Sequence, residues 1–193
     1  MTFRLALPDS VGADLVAALA AEHETGWTSV ARVALEGELL LVRELLPVRD
    51  GAYRERGARR MRIDSSGFMP AFARAAQDQA VPVFVHTHPE MSARPSGLDD
   101  EVDQQLLALS LTRTGRRAYA SIIIGGTPEK PQVTGRFWRH GADEPVLLDR
   151  LRLAGPGLGV LLADGRAGEE PATMFDRHVR AFGPDGQLSL IHI

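Results

Sequence analysis

His86 and His88 stand two residues apart, and a carboxylate, Asp99, follows them at the far side of a short Pro- and Gly-containing stretch. The histidines close the run Val81-Pro-Val-Phe-Val-His-Thr-His88, whose apolar and β-branched composition predicts a strand. Alternate residues of a strand share a face, so both imidazoles can reach one metal ion. Pro89 turns the chain, and Asp99 returns at the mouth of the next predicted helix. Two imidazoles and one carboxylate suit zinc. Three protein ligands leave the fourth tetrahedral position for water, which is the layout of a catalytic site. Ser96-Gly-Leu-Asp99 is also a capping-box pattern, so Asp99 has a structural reason to sit in a first helical turn whether or not it binds metal. Asp100 is the neighbouring alternative ligand.

The elements that must position these residues can be read coarsely. Residues 3–7 predict a strand, and Asp9 or Ser10 caps a helix running to about Glu22. Strands at about 27–35 and 38–47 follow, joined across Glu36-Gly37. The polar stretch 49–58 predicts a loop, 59–63 a strand and 69–79 a helix. The ligand strand is 81–88, followed by a loop to 96 and a helix over about 97–110. Strands are predicted at 119–124, 132–139 and 146–153. Strands interleave with helices, so the class is α/β, a mixed β-sheet flanked by helices. Gly155-Pro-Gly-Leu-Gly159 matches neither a dinucleotide fingerprint nor a Walker sequence and is read as a turn.

His86, His88, Pro89, Ser96 and Asp99 carry more than chemistry: their order and spacing resemble the signature of the JAMM (JAB1/MPN/Mov34) zinc metalloprotease family, in its bacterial JAB form. That signature has a glutamate upstream, after a first helix and before a strand. Here Glu24 in Glu24-Thr-Gly-Trp27 fits, with Glu22 as the rival; the Gly26-Trp27 pair departs from the cysteine or glycine pair usual at that place. The resemblance covers roughly residues 10 to 125. It implies a cytidine-deaminase-like JAB1/MPN fold, with Zn2+ held by His86, His88 and Asp99. It makes Glu24 the general base that takes and returns a proton, and Ser96 a hydroxyl that assists the tetrahedral intermediate. It implies hydrolysis of the amide bond after the C-terminal glycine of a ubiquitin-like protein, with E1-like and E2-like enzymes as pathway partners. The alternatives are a non-catalytic MPN-type scaffold and a metallohydrolase of small amides. A zinc deaminase ranks last, because its Pro-Cys-x-x-Cys ligands are missing from a chain without cysteine.

Composition bounds the rest. The 193 residues suffice for one domain with a substantial core. A net charge of −3 gives no footprint for nucleic acid. The lack of cysteine excludes a thiol nucleophile, a redox pair and any thiolate ligand. No stretch has the length of a membrane span, and the N-terminus lacks the pattern of a signal peptide, so a cytoplasmic protein is expected. Lys130 is the only lysine, and arginine supplies the other positive charge. Arg54, Arg56, Arg59, Arg60 and Arg62 form a basic cluster, read as a solvated edge with a docking patch for an acidic partner as the alternative. His23, His140, His178 and His192 share no ligand spacing. The expected domains are a peptidase unit over 1–153 and a Gly/Pro-rich tail over 154–193. Within the tail, residues 175–190 resemble the segment that opens E1-like (ThiF-type) domains, which suggests a longer peptidase–E1 fusion.

Overall fold

The computed structural model describes residues 2–34, 39–155 and 159–163. In chain order the elements are β1 (Thr2–Pro8), α1 (Asp9–Ala17), β2 (Gly26–Ala34), β3 (Leu39–Val42), β4 (Leu46–Pro47), β5 (Tyr53–Arg56), β6 (Met61–Ile63), α2 (Ser65–Asp78), β7 (Val81–Pro89), α3 (Gly97–Thr114), β8 (Ala118–Thr127), β9 (Lys130–Arg139), β10 (Val146–Ala154) and β11 (Val160–Leu162). The predicted turn at Glu36-Gly37 and the segment 175–190 lie outside the described residues.

The main sheet is mixed, with strand order β1-β3-β2-β7-β8-β9-β10-β11. It also curls: β1 pairs in parallel with β3 on one side and with β10 on the other, so the sheet closes on itself. The ligand strand β7 lies deep within this order, antiparallel to β2 and parallel to β8. Every one of its residues is buried.

Alternation along β7 divides the interior into two cores. Val81, Val83 and Val85 join Leu15 and Leu19 of the first helical segment, with Ile122, Ile124, Phe137 and Leu151 from other strands. The opposite face carries Phe84, which packs with Phe68 and Phe72 of α2, Leu106 and Leu107 of α3, Tyr119 and Trp138. His86 and His88 alternate in phase with Phe84, so they emerge on the α2/α3 side. The two tryptophans are core residues, Trp27 in the first cluster and Trp138 in the second.

Local expectations differ from the structure at the first helix, at the 38–47 strand, which is split into β3 and β4, at the stretch 49–58 and at the start of α2. The first helix has Pro8, not Asp9 or Ser10, at its N-cap, and it ends in a 3₁₀ turn at Ala20. The extended segment that follows delivers Glu24 to the sheet. The polar stretch 49–58 is not a loop throughout: Asp50–Ala52 forms a 3₁₀ turn, and β5 pairs with β6 as a two-stranded hairpin. Helix α2 begins at Ser65, four residues early, because Asp64 caps it by accepting from the Ser66 amide at 2.9 Å. Gly67 and Pro70 hide that start in the sequence. Strand β11 pairs with β10.

Ile122 is fully buried in the first core, while Leu147 on the same sheet is 57% exposed. Ile122→Ala should therefore lower unfolding free energy by about 2–5 kcal/mol, and Leu147→Ala by no more than about 0.5 kcal/mol, as read by chemical denaturation.

Candidate metal centre

Register brings the first two groups together. Gly26 lies opposite His86 in the antiparallel β2–β7 pair. One step further, Thr25 and Thr87 lock across the strands: the Thr87 amide donates to the Thr25 carbonyl at 3.0 Å, and the Thr25 amide donates to Thr87 Oγ1 at 2.9 Å. The next step sets Glu24 across from His88, on the same face as both histidines. Its carboxylate Oε1 lies 4.0 Å from His88 Nε2. Glu24 is buried, whereas its rival Glu22 is exposed and takes no part.

A loop and a helix deliver the third group. After β7 the chain folds back over Gly125 of β8. A Cβ on Gly125 would lie 2.5 Å from the Ala93 amide nitrogen and 2.6 Å from the Met91 carbonyl oxygen, so the loop path requires glycine there. The loop is pinned by the Gly126 amide donating to the Met91 carbonyl at 2.6 Å. Ser96 then caps α3 in the capping box that its sequence predicts: Ser96 Oγ takes the Asp99 amide, and Asp99 takes the Ser96 amide at 2.6 Å. The Ser96 hydroxyl also donates to Asp99 Oδ2 at 2.7 Å. Capping thus fixes the Asp99 carboxylate while its other oxygen faces the histidines.

His86 Nε2 lies 3.0 Å from Asp99 Oδ1 and 3.1 Å from His88 Nε2, and His88 Nε2 lies 3.9 Å from Asp99 Oδ2. Donors at 2.0–2.1 Å around one tetrahedral zinc stand about 3.3 Å apart. The three side chains therefore already hold ligand spacing. Asp100 points elsewhere, to Arg136.

The electrostatics favour a cation at this point. Burial would raise the Asp99 carboxyl, but His86 and the Ser96 hydroxyl and amide overcome it and hold the group well below the usual carboxylate range. Burial lowers the pKa of His88, and the His86 charge lowers it further, so its ring is biased toward the neutral form that metals bind. The Ser92 carbonyl, 3.4 Å from His88 Nδ1, can accept a hydrogen bond from a protonated Nδ1, the tautomer that leaves Nε2 with its lone pair. Among the described residues, His86 Nδ1 is buried without a hydrogen-bond partner, and the ring's polar contacts to Asp99 and His88 are made by Nε2. Burial pushes Glu24 up to about 7, against the opposing pull of His86.

Two supporting groups lack any local sequence signal. Asp103, one turn after Asp99, is buried beneath the site and accepts from Ser121 Oγ at 2.8 Å and Trp138 Nε1 at 2.7 Å. Arg136 Nη2 lies 2.7 Å from the same carboxylate and its Nη1 reaches Asp100, tying the first turns of α3 to β9. On the other flank, Arg56 holds the backbone that carries Glu24: its Nε donates to the Glu24 carbonyl at 3.0 Å and its Nη2 to Thr25 Oγ1 at 2.9 Å. Gly57 accepts from the Glu24 amide at 3.0 Å, and the Gly26 amide donates to the Tyr53 hydroxyl at 3.0 Å. The β5–β6 hairpin is thus a clamp on the Glu24–Gly26 segment, and Arg56 is not a solvated edge residue. The remaining histidines in the described residues, His23 and His140, join no such group.

These groups open into one cleft of about 580 Å³, floored by Met61, Ile63, Phe84 and Leu106. Fold and site together define a mixed α/β protein of JAB/MPN-like architecture with a buried His-His-Asp group suited to a metal ion. Residues 16–141 match the family model of prokaryotic homologs of the JAB domain, and the chain belongs to that family. The solution structure of protein DSY2949 from Desulfitobacterium hafniense is similar in fold, with a TM-score of 0.54 at 17% identity over 77% of this chain and 92% of that one. No curated protein matches the chain. No helix among the described residues is long and apolar enough to cross a membrane.

A carboxyl group raised by burial is favoured in its protonated form by the native state. In metal-free protein, Glu24 supports folding fully below its ordinary pKa of 4.5 and loses that contribution as pH rises through about 7. Glu24→Gln, which cannot ionise, should therefore melt at a higher temperature than wild type in chelator at pH 8. The difference should shrink as the pH falls toward 4.5, as thermal melts across that range would show.

Proposed function

We propose that this protein is a zinc-dependent peptidase or isopeptidase that hydrolyses the amide bond after the C-terminal glycine of a ubiquitin-like protein, in deconjugation or precursor processing. The observation that carries the reading is the placement of Glu24. Its carboxylate is buried 4.0 Å from His88 Nε2, directly across from the His86–His88–Asp99 group but outside it. A scaffold that only binds metal has no use for a second buried acid held so close.

Zinc held by His86, His88 and Asp99 would supply Lewis acidity, polarising the scissile carbonyl and lowering the pKa of a bound water toward about 7. Glu24 takes a proton from the attacking water and returns it to the leaving nitrogen. Burial raises the pKa of Glu24 and a bound cation would pull it back down, two opposing influences that suit a group which must both take and return a proton. Ser96 holds Asp99 in place, and its hydroxyl at the cleft would serve a developing oxyanion by turning its one proton from Asp99 Oδ2 to that oxygen. Arg56 acts through the backbone, fixing the direction from which Glu24 enters.

The substrate tail would bind extended. Strand β6 carries a ladder to β5 alone among the described residues and contributes Met61, Arg62 and Ile63 to the cleft, so a tail can add to its other side beside the loop 89–96. Pathway partners would be E1-like and E2-like enzymes, and the compartment would be the cytoplasm, in keeping with a chain that has no cysteine.

Purified protein should carry close to one zinc per chain by elemental analysis. It should cleave a ubiquitin-like protein extended beyond its terminal glycine, lose that activity with a chelator and regain it with zinc. Glu24→Gln should retain zinc yet lose at least about 100-fold in kcat, while Glu22→Gln stays near wild type. Full turnover by Glu24→Gln, or by metal-free protein, would sink the reading. Cleavage of small amides but of no protein conjugate would move the assignment to a small-molecule hydrolase.

Arg56→Gln removes the clamp without touching metal or substrate. It should lower kcat by about 10-fold with KM nearly unchanged, a split that separates positioning from binding. Arg56→Lys should recover only part of the loss, because an ammonium cannot span the Glu24 carbonyl and Thr25 hydroxyl as a guanidinium fork does.

A further inference from the structure

The chain as a whole is acidic, with a net charge of −3, yet the rim of the metal cleft is basic. Arg59, Arg60 and Arg62 from the β5–β6 hairpin line it on one side, and Arg94 from the loop between the ligands lines it on the other. All four side chains are exposed. Arg60 pairs with Glu55 at 3.3 Å. Among the described residues, Arg59, Arg62 and Arg94 have no carboxylate within ion-pair distance, whereas Arg54, Arg56, Arg74 and Arg136 are all paired. Of the acidic groups that line the cleft, Glu24 and Asp99 belong to the metal centre, and Glu101 alone is left to oppose the arginines. Like charges gathered around a concave, partly apolar surface focus their field into it.

From this we infer that the tail entering the cleft is acidic, carrying carboxylate side chains within a few residues of the scissile bond. The inference rests on the hydrolase reading above and names its substrate class. Strand geometry sharpens it. Met61 and Ile63 are half-buried and pack against the second core, while Arg62 between them is exposed on the other face. A chain added beside β6 presents alternate residues to those two faces. The matching tail therefore alternates apolar residues, seated over Met61 and Ile63, with acidic ones on the face of Arg62, Arg60 being held by Glu55. Arg94, across the cleft, would meet a carboxylate nearer the scissile bond. A single-stranded nucleic acid is the competing polyanion. It fits less well, because the aromatic rings lining the cleft, Phe68 and Phe84, are buried in the second core and offer no stacking surface.

The test is binding of product-like tails, which need not be cleaved. Rhodamine-labelled decapeptides ending in Gly-Gly, with Val alternating with Glu, Gln or Lys, are titrated with the zinc-loaded full chain, and fluorescence anisotropy gives Kd. At low salt the Glu peptide should bind about 10-fold tighter than the Gln peptide, roughly two- to three-fold for each free arginine. The Lys peptide should bind most weakly. The advantage should collapse at 1 M salt, where screening acts within about 3 Å. The triple variant Arg59→Gln, Arg62→Gln, Arg94→Gln should bring the Glu peptide down to the affinity of the Gln peptide, with melting temperature, zinc content and Gln-peptide affinity unchanged. Equal affinities for the three peptides, no effect of the triple variant, or failure of every peptide to bind would overturn the inference. So would a ten-residue single-stranded DNA that binds as tightly as the Glu peptide. Each of those outcomes leaves the zinc and Glu24 turnover tests standing, so this inference can fail without the hydrolase reading.

Discussion

The β2–β7 register is the constraint on which the site depends. Side chains alternate along a strand, so a slip of one residue would carry Glu24 and both histidines to opposite faces of the sheet. Two features hold the register. Val81, Val83 and Val85 fit the first core and the larger Phe84 fits the second, so the phase of β7 is set by packing on both faces. At the open end, where hydrophobic pattern gives out, the double bond between Thr25 and Thr87 takes over. Thr87 is completely buried, so breaking that pair would strand polar groups in the interior. A fold that needs only stability could place any small residue at 87. A fold that must set one carboxylate against two imidazoles gains from a side chain that reports its own register.

The second approach to the site comes from outside the sheet, and local geometry governs it. The loop from Pro89 to Ser96 lies directly on the backbone of Gly125, with no room for a Cβ. Asp99 is fixed by the capping box, a motif whose geometry belongs to helix termini in general. Asp103 and Arg136 then tether the first turns of the helix to β9. Burial raises Asp103, and Arg136, Ser121 and Trp138 work against that rise. Removing any one partner would leave a buried charge short of compensation, which makes this network sensitive to single substitutions.

Much of this was legible in the sequence wherever the determinants are short-range. The alternation of 81–88, the His-x-His spacing and the Ser96–Asp99 box each act within a few residues, and each appears in the structure where the pattern puts it. The choice of Glu24 over Glu22 needed the register, since both follow the same helix and only the pairing of β2 decides which one turns inward. Closure of the sheet by β1 and β10 was not legible, because parallel pairing between distant strands leaves no periodicity of its own. The 59–63 strand appears as β6, but its partner β5 was missed, for a different reason. Tyr53-Arg-Glu-Arg56 has no apolar alternation, and the hairpin is held by its bonds to the Glu24 segment and by the Arg56 guanidinium 4.5 Å above the Tyr53 ring. The basic cluster therefore held two kinds of residue that composition cannot separate. Arg56 faces inward as a clamp, while Arg59, Arg60 and Arg62 face the cleft.

Two imidazole nitrogens and a carboxylate oxygen lie within 4.8 Å of one another with a second buried carboxylate beside them, and in the absence of a cation the His86 ring alone offsets the charge that the two acids share. Burial pushes Glu24 up and the Asp99 charge adds to it, while Asp99, bonded to the His86 and Ser96 donors, is held down. A divalent ion would offset more of that charge, since it answers three acceptors at once and lies close enough to favour the ionised form of Glu24. The metal-free fold therefore carries a local electrostatic cost that packing elsewhere must offset. The two cores, the closed sheet and the clamps at Arg56 and Arg136 are what keep the four groups in place. Rigidity here is a condition for binding: a softer scaffold would let the histidines and Asp99 drift apart, and the ion would then have to supply the energy of reassembling its own site.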